Sequence, residues 1–385
     1  MEYRLLGRTG LRVSAVGMGC EGFGGKTYGE CREMADCALE RGINFFDMYT
    51  SDPEIRGNLG RALGRYPRES FVVQGHLCTI WEDGQYCRTR EIGQVKAGFE
   101  DLLARMGLSY VDVGMLHYVD APADFEAVFN GPVMEYARAL LETGVIRSLG
   151  LSTHNPEVAL RALDTGLIDV MLFSINPAYD MLPASEDIEP LFEADTFRRV
   201  YEGVEPTRAL LYQRCQSQGV ALTVMKAFAG GLLLDAKQSP FGRALTPAQC
   251  IHYCLTRPGV ASVMCGAANV EEIQAAAAYC GAPEEERDYG PVLAGAPRTA
   301  FQGRCMYCGH CAPCTSRIDI AAVNKYLDLA QAQAEKPLPE TLREHYALLS
   351  HHAGECVACG RCEANCPFGV PVMERMRRAQ ALFGR

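Results

Sequence analysis

The 385-residue sequence has one tryptophan, eight histidines and no excess of basic residues: 37 Lys and Arg stand against 47 Asp and Glu, a formal net charge of −10. That balance excludes a nucleic-acid footprint. No apolar run reaches the roughly 18 residues of a membrane span. The opening "MEYRLLGRTG" lacks an apolar leader core. No G-x-G-x-x-G opens a helix after the first apolar segment, so an open dinucleotide-binding sheet loses its signature. The expectation left standing is a soluble cytoplasmic protein, bound to neither nucleic acid nor membrane, that works on a small molecule.

Cysteine is abundant instead, with 18 residues. A chain of this size without an export signal reads as a metal binder rather than a disulfide framework. Eight of the cysteines form two runs near the C-terminus. The second run, "CVACGRCEANCPFG", has the C-x2-C-x2-C-x3-C-P spacing of bacterial [4Fe–4S] proteins at Cys356, Cys359, Cys362 and Cys366. The first, "CMYCGHCAPC", places Cys305, Cys308, Cys311 and Cys314 at every third position. Zinc sites usually pair two separated C-x2-C units, so zinc fits less well. Two runs suggest two [4Fe–4S] clusters with crossed ligation. One would take Cys305, Cys308, Cys311 and Cys366, and the other Cys314, Cys356, Cys359 and Cys362. Between the runs, "LPETLREHYALLSHH" reads as a helix with Leu342, Tyr346 and Leu349 on one face. Residues 296–385 are expected to form a small ferredoxin-like iron–sulfur domain. The ten scattered cysteines read as buried, reduced hydrophobes.

Residues 1–295 alternate short apolar runs with amphipathic stretches. Strands are expected at 13–19, 44–48, 71–75, 111–117, 146–152, 170–176, 221–226 and 261–266. Helices are expected between them, at 30–41, 55–63, 90–106, 133–143, 156–163, 207–217, 246–256 and 270–279. Entry signals such as Asn155-Pro156 and Thr246-Pro247 support these starts. Eight strand–helix units argue for a (β/α)8 barrel, with a doubly wound sheet as the alternative. Barrel chemistry sits at the C-terminal strand ends. Those ends carry Asp47, His76, His117, Ser152, Thr153, Asn176, Lys226 and Cys265-Gly266.

The segments "YRLLGRTGLRVSAVGMG", "GINFFDM", "IRGNLGRAL", "LHYVD", "GVIRSLGLSTHN" and "CGAANVEEI" resemble the aldo/keto reductases. With the tail included, the chain is similar to the subgroup carrying a C-terminal ferredoxin-type domain. The resemblance implies hydride transfer from NADPH to a carbonyl, helped by an aspartate, a lysine, a tyrosine that donates the proton and a histidine that orients the carbonyl. Carried over by position, the aspartate is Asp47 and the histidine is His117. The tyrosine position holds Asp52 and the lysine position holds His76. The nicotinamide contacts become Ser152 and Thr153, a strand-six glutamine becomes Ser174, and Gly266 begins the phosphate loop. That loop, "CGAANVEE", offers no Lys or Arg, so NADPH loses its usual charge partners and weak or no NADPH binding is expected.

Asp47, Asp52, His76 and His117 are therefore the candidate acid–base set, with Asp52 and His76 as a pair and Lys226 as an anion or substrate contact. Tyr49 and Tyr118 can also reach the rim. The connection 177–206 has the length of a substrate-selecting lid. The expected function is an iron–sulfur oxidoreductase acting on a small polar carbonyl or hydroxyl compound, with a redox partner protein supplying or taking electrons. Two alternatives stand beside it: a non-enzymatic electron-transfer subunit that uses the barrel as a scaffold, and an NAD(P)H-dependent reductase with a rearranged proton donor.

Overall fold

A computed structural model describes residues 1–193, 196–197, 203–296, 303–331 and 338–385. The chain begins with a hairpin of β1 (Tyr3–Leu5) and β2 (Arg12–Ser14). Then β3 (Val16–Gly19), α1 (Tyr28–Glu40), β4 (Phe45–Met48), α2 (Pro53–Leu63) and β5 (Val72–Leu77) open the barrel. A second hairpin, β6 (Thr79–Glu82) and β7 (Gln85–Arg88), follows before α3 (Ile92–Met106) and β8 (Val111–Leu116). Next come α4 (Pro122–Phe129), α5 (Pro132–Glu142), β9 (Ile146–Thr153), α6 (Pro156–Asp164) and β10 (Val170–Ser174). The barrel is completed by α7 (Pro206–Gln218), β11 (Ala221–Met225), α8 (Pro247–Thr256), β12 (Val260–Cys265) and α9 (Val270–Ala278). Eight parallel strands close in the order β3, β4, β5, β8, β9, β10, β11, β12 and back to β3.

Each expected strand and each expected barrel helix lies where the apolar rhythm puts it, within about three residues at the ends. The causes are local. Thr27 with Glu30, and Thr246 with Gln249, form reciprocal capping boxes at the starts of α1 and α8. Asn155 caps α6 ahead of Pro156. Apolar side chains such as Phe45, Val113, Leu172 and Ala261 fill the barrel interior with Leu6 and Val13 of the first hairpin. A second, larger core joins the outer faces of the strands to the helices. Most of the strands are buried along their whole length, as parallel strands covered on both faces must be.

After α10 (Glu284–Arg287) and α11 (Gly290–Ala294), the tail contributes α12 (Ile320–Gln331), α13 (Glu340–Ala347), α14 (Arg361–Ala364) and α15 (Val372–Phe383). Among the described residues the tail has no strand; its regular elements are helices, joined by turns and irregular segments that carry most of the cysteines. The helix expected over 338–352 is α13, ending at Ala347. Tyr346 stacks on Phe383 at 4.0 Å, tying α13 to α15. The expected boundary at 295/296 adjoins residues 297–302, which lie outside the described residues.

Candidate active site and cysteine cavities

The strand ends open into a cavity of about 230 Å³. Asp47 on β4, His76 on β5, His117 after β8, Ser152 on β9 and Lys226 after β11 all line it. Three residues just beyond strand ends, Cys78, Tyr118 and Lys226, hold left-handed φ angles of 70°, 53° and 62°. Non-glycine residues adopt that region at a cost, and such strain gathers at functional rims.

One hydrogen-bonded chain runs across the cavity floor. Asp47 Oδ1 lies 2.8 Å from His76 Nε2, and His76 Nδ1 lies 2.6 Å from His117 Nδ1. His117 Nε2 lies 2.5 Å from the hydroxyl of Tyr86. Gln74 Nε2 donates to the same Asp47 oxygen at 2.7 Å, and Thr223 donates to Gln74 at 3.3 Å. The Asp47 carboxylate accepts, which puts the His76 proton on Nε2. His76 Nδ1 then accepts from His117 Nδ1–H, and His117 Nε2 accepts from Tyr86 O–H. Burial and the neighbouring His76 push the His117 pKa well below its ordinary value, so this ring is neutral at neutral pH. Burial raises the Tyr86 phenol to about 12.

Tyr86 stands on β7, in a hairpin inserted between β5 and α3. Asp83 and Gly84 turn this hairpin with φ of 50° and 76°. Sequence reasoning missed Tyr86. The signal was present, since "TIWEDGQYCR" alternates around an Asp-Gly pair, a strong hairpin mark. Its contact with His117 was not readable. Tyr49 and Tyr118 also line the cavity. Tyr49 stacks on His117 at 6.0 Å and Tyr118 tilts over His154 at 5.1 Å.

Three expected residues stand elsewhere. Asp52 is the N-cap of α2: its Oδ1 accepts from the backbone N–H groups of Glu54 at 2.8 Å and Ile55 at 3.2 Å. Both ring nitrogens of His76 are engaged by Asp47 and His117, so the Asp52–His76 pair does not form. Pro53 at the first helical position makes Asp52 a cap. Thr153 is wholly buried and donates to Asp120 Oδ1 at 2.7 Å, so its hydroxyl is spent beneath the rim, while Ser152 faces the cavity. Ser174 is buried in β10 and does not line the cavity.

A larger groove of about 440 Å³ shares Glu21, Lys226 and Met264 with the cavity, and Gly266 lines it. Glu21, unforeseen in the sequence, lies across Gly266: a Cβ there would come within 2.4 Å of its carboxylate. Burial raises the pKa of Glu21. Lys226 is the one cation among the described groove residues, against Glu21 and Glu272. At the start of α9, the Ala268 N–H donates to Glu272 Oε2 at 2.8 Å, and the Glu272 N–H donates to Asn269 Oδ1 at 2.8 Å. These side chains fill the helix terminus that would otherwise attract a phosphate. Within the connection 177–206, Ile188 reaches the cavity, whereas residues 194–195 and 198–202 lie outside the described residues.

The tail holds two further cavities. Cys305, Cys308, Cys311 and Cys366 line one, with Phe368 and Val370. Cys314, Cys356, Cys359 and Cys362 line the other, with Ile318 and Met376. Each draws three cysteines from one run and the fourth from the other. Among the described residues no group of three or more His, Cys, Asp or Glu forms a single-ion site. No described helix is long and apolar enough to cross a membrane.

Comparison with known proteins identifies the barrel. Residues 15–244 match the model of the aldo/keto reductase family. The chain belongs to the aldo/keto reductase family. It is 26% identical over 291 residues to the uncharacterized oxidoreductase YqkF of Bacillus subtilis, covering 71% of this chain and 89% of that protein. It is 25% identical over 191 residues to the aldo-keto reductase YhdN of the same organism, covering 47% and 54%. It is 30% identical over 170 residues to the L-glyceraldehyde 3-phosphate reductase of Escherichia coli, covering 41% and 46%. The chain thus spans about half the length of the last two relatives. Among solved structures, the aldo-keto reductase AKR11C1 from Bacillus halodurans in its holo form superposes with a TM-score of 0.57. The identity is 23%, over 74% of this chain and 94% of that one. The eight-stranded part of the chain therefore has the aldo/keto reductase barrel fold, and the family is one of oxidoreductases.

Proposed function

We propose that the protein interconverts a small polar carbonyl compound and its alcohol, with Tyr86 as the proton-transferring residue and a nicotinamide dinucleotide in the adjoining groove. The observation that carries this reading is the unbroken chain Tyr86–His117–His76–Asp47, which opens on a cavity continuous with the groove. The groove offers Lys226 for a diphosphate and no cation at α9 for an extra phosphate. NADH suits it better than NADPH. When bound, the nicotinamide supplies or takes the hydride.

The chain's own residues handle the proton. With every proton pointing towards Asp47, Tyr86 is set to accept one from an alcohol. Each proton then moves one place, from Tyr86 to His117, from His117 to His76, and from His76 to Asp47. With Asp47 protonated, the same four bonds run the other way, and Tyr86 O–H points at the carbonyl oxygen. An alkoxide is more basic than a phenolate, so transfer from Tyr86 is downhill even with its pKa raised. Both histidines stay neutral in either arrangement, which matches the depressed pKa of His117. The imidazole of His76 replaces the lysine of the usual family set, and the hairpin phenol replaces its tyrosine.

The tail supports a second element. Residues 296–385 are proposed as a separate helical domain that places two [4Fe–4S] clusters beside the barrel, as in the subgroup the sequence resembles. The support is the crossed grouping of thiols around two cavities. Cys305, Cys308, Cys311 and Cys366 would hold one cluster, and Cys314, Cys356, Cys359 and Cys362 the other. Clusters of this kind supply single electrons, and a redox partner protein in a reducing cytoplasm would exchange them. The Ile188 loop is proposed to select substrate.

Anaerobic purification tests both parts. The expected result is about eight iron atoms per chain, NADH binding in the micromolar range, and NADH oxidation with some members of a panel of small aldehydes and ketones. Absence of binding and turnover with either nucleotide would overturn the first part. Iron at or below about four atoms per chain would overturn the second.

A further inference from the structure

Arg257, at the end of α8, is 3% exposed. Its hydrogen-bond acceptors are all neutral. Nε donates to the Tyr253 carbonyl at 3.2 Å, and Nη2 donates to Thr256 Oγ1 at 3.0 Å and Tyr289 Oη at 3.1 Å. The same Nη2 reaches the carbonyl of Met306, which lies between Cys305 and Cys308, and Tyr289 donates to that carbonyl at 2.7 Å. The guanidinium also lies 4.4 Å from the Tyr253 ring centre and 5.1 Å from that of Tyr307. Among the described residues no carboxylate comes within ion-pair distance of it. Asp180 acts on it from further off, and is itself engaged by Tyr212, Tyr253 and Arg208.

A buried guanidinium without an anion is costly, and one partner removed from a buried pair typically costs several kcal/mol. The missing anion has an evident place. Arg257 and Cys305 line one cavity between barrel and tail, and Cys305 also lines the first cysteine cavity. Four thiolates outweigh the charge of an iron–sulfur core, so a loaded site there is an anion. We propose that Arg257, a barrel residue, is the counter-cation of the cluster held by Cys305, Cys308, Cys311 and Cys366 and raises that cluster's reduction potential. This rests on the two-cluster reading above. A cation in a low-dielectric setting favours the more negative, reduced form. The second cavity, with exposed Cys359, shares no lining residue with the cavity that Arg257 lines. Arg257 is a positioning residue, since it acts through the cluster.

The test is an EPR-monitored redox titration of the full-length, anaerobically prepared protein, read alongside iron content. Arg257→Gln keeps a donor for Met306 and removes the charge. It is expected to shift one of two couples to lower potential, leave the other unmoved and retain wild-type iron. Cys366→Ser should alter that same couple. Arg257→Lys, which keeps the charge, should leave both couples near wild type, and it serves as the readout if the Gln variant loses iron. Two unmoved couples in Arg257→Gln at full iron would overturn the assignment, leaving a structural clamp. An equal shift in the Lys and Gln variants would overturn it too, because the fork and not the charge would then matter. A wild-type protein lacking two couples would instead overturn the cluster reading beneath it.

Discussion

Asp52 and Tyr86 show how a residue's role depends on what its atoms touch. Asp52 occupies the position of the family's proton donor, yet its carboxylate is taken up by backbone N–H groups at the start of α2. Asp52→Ala should therefore cost about 1 kcal/mol of stability, as N-cap losses do. Thermal unfolding should show a small drop in Tm, and steady-state kinetics an unchanged kcat. His117 gives a pH signature. Its folded pKa lies well below 6.5 because burial and His76 disfavour its charge. Below about pH 6.5 the unfolded chain takes up a proton that the folded chain refuses, so stability falls on acidification, by up to about 1.4 kcal/mol per pH unit for each such group. His252, held at about 4 by burial, adds to the loss between about 6.5 and 4. Urea midpoints should fall from pH 7 to pH 5 in the wild type, and fall less in His117→Asn.

At the scale of elements, the barrel was legible because each strand and helix carries its own pattern. The apolar runs ending in Asp47 and His117 marked β4 and β8, and Asn155-Pro156 marked α6. The rim was legible only where a strand end fixes the side chain, as for His76, Ser152 and Lys226. Tyr86 was not, because its hydroxyl meets His117 only after a hairpin folds back over the cavity. Asp52 was misread because family position was weighed above the cap signal of Asp52-Pro53. The α9 terminus carries a prediction of its own. Glu272 places a carboxylate at amides that would otherwise favour phosphate. Removing a charge near a helix N-terminus is worth up to about 1 kcal/mol. Glu272→Gln should accordingly tighten NADPH binding by about fivefold, and NADH binding by less. Fluorescence titration of both nucleotides checks this, and equal changes would place the extra phosphate elsewhere.

For the whole molecule, the question is how an aldo/keto reductase barrel and a cysteine-rich tail work as one. Spacing alone suggested the crossed grouping of cysteines, but the strandless build of the described tail and its grip on the barrel through Arg257 were beyond pattern reading. Cys366→Ser should damage the cluster held with the first run and spare the other, leaving about four iron atoms per chain. Complete loss, or damage confined to the site of Cys356, would contradict the crossed arrangement. The central claim is that Tyr86 carries the proton of an otherwise familiar hydride transfer. The most direct measurement compares wild type with Tyr86→Phe for NADH affinity and for the rate of carbonyl reduction on the most responsive member of a substrate panel. Equal NADH affinity with a rate lower by about 100-fold or more is the predicted result, as for loss of a general acid. Wild-type turnover by Tyr86→Phe would contradict it.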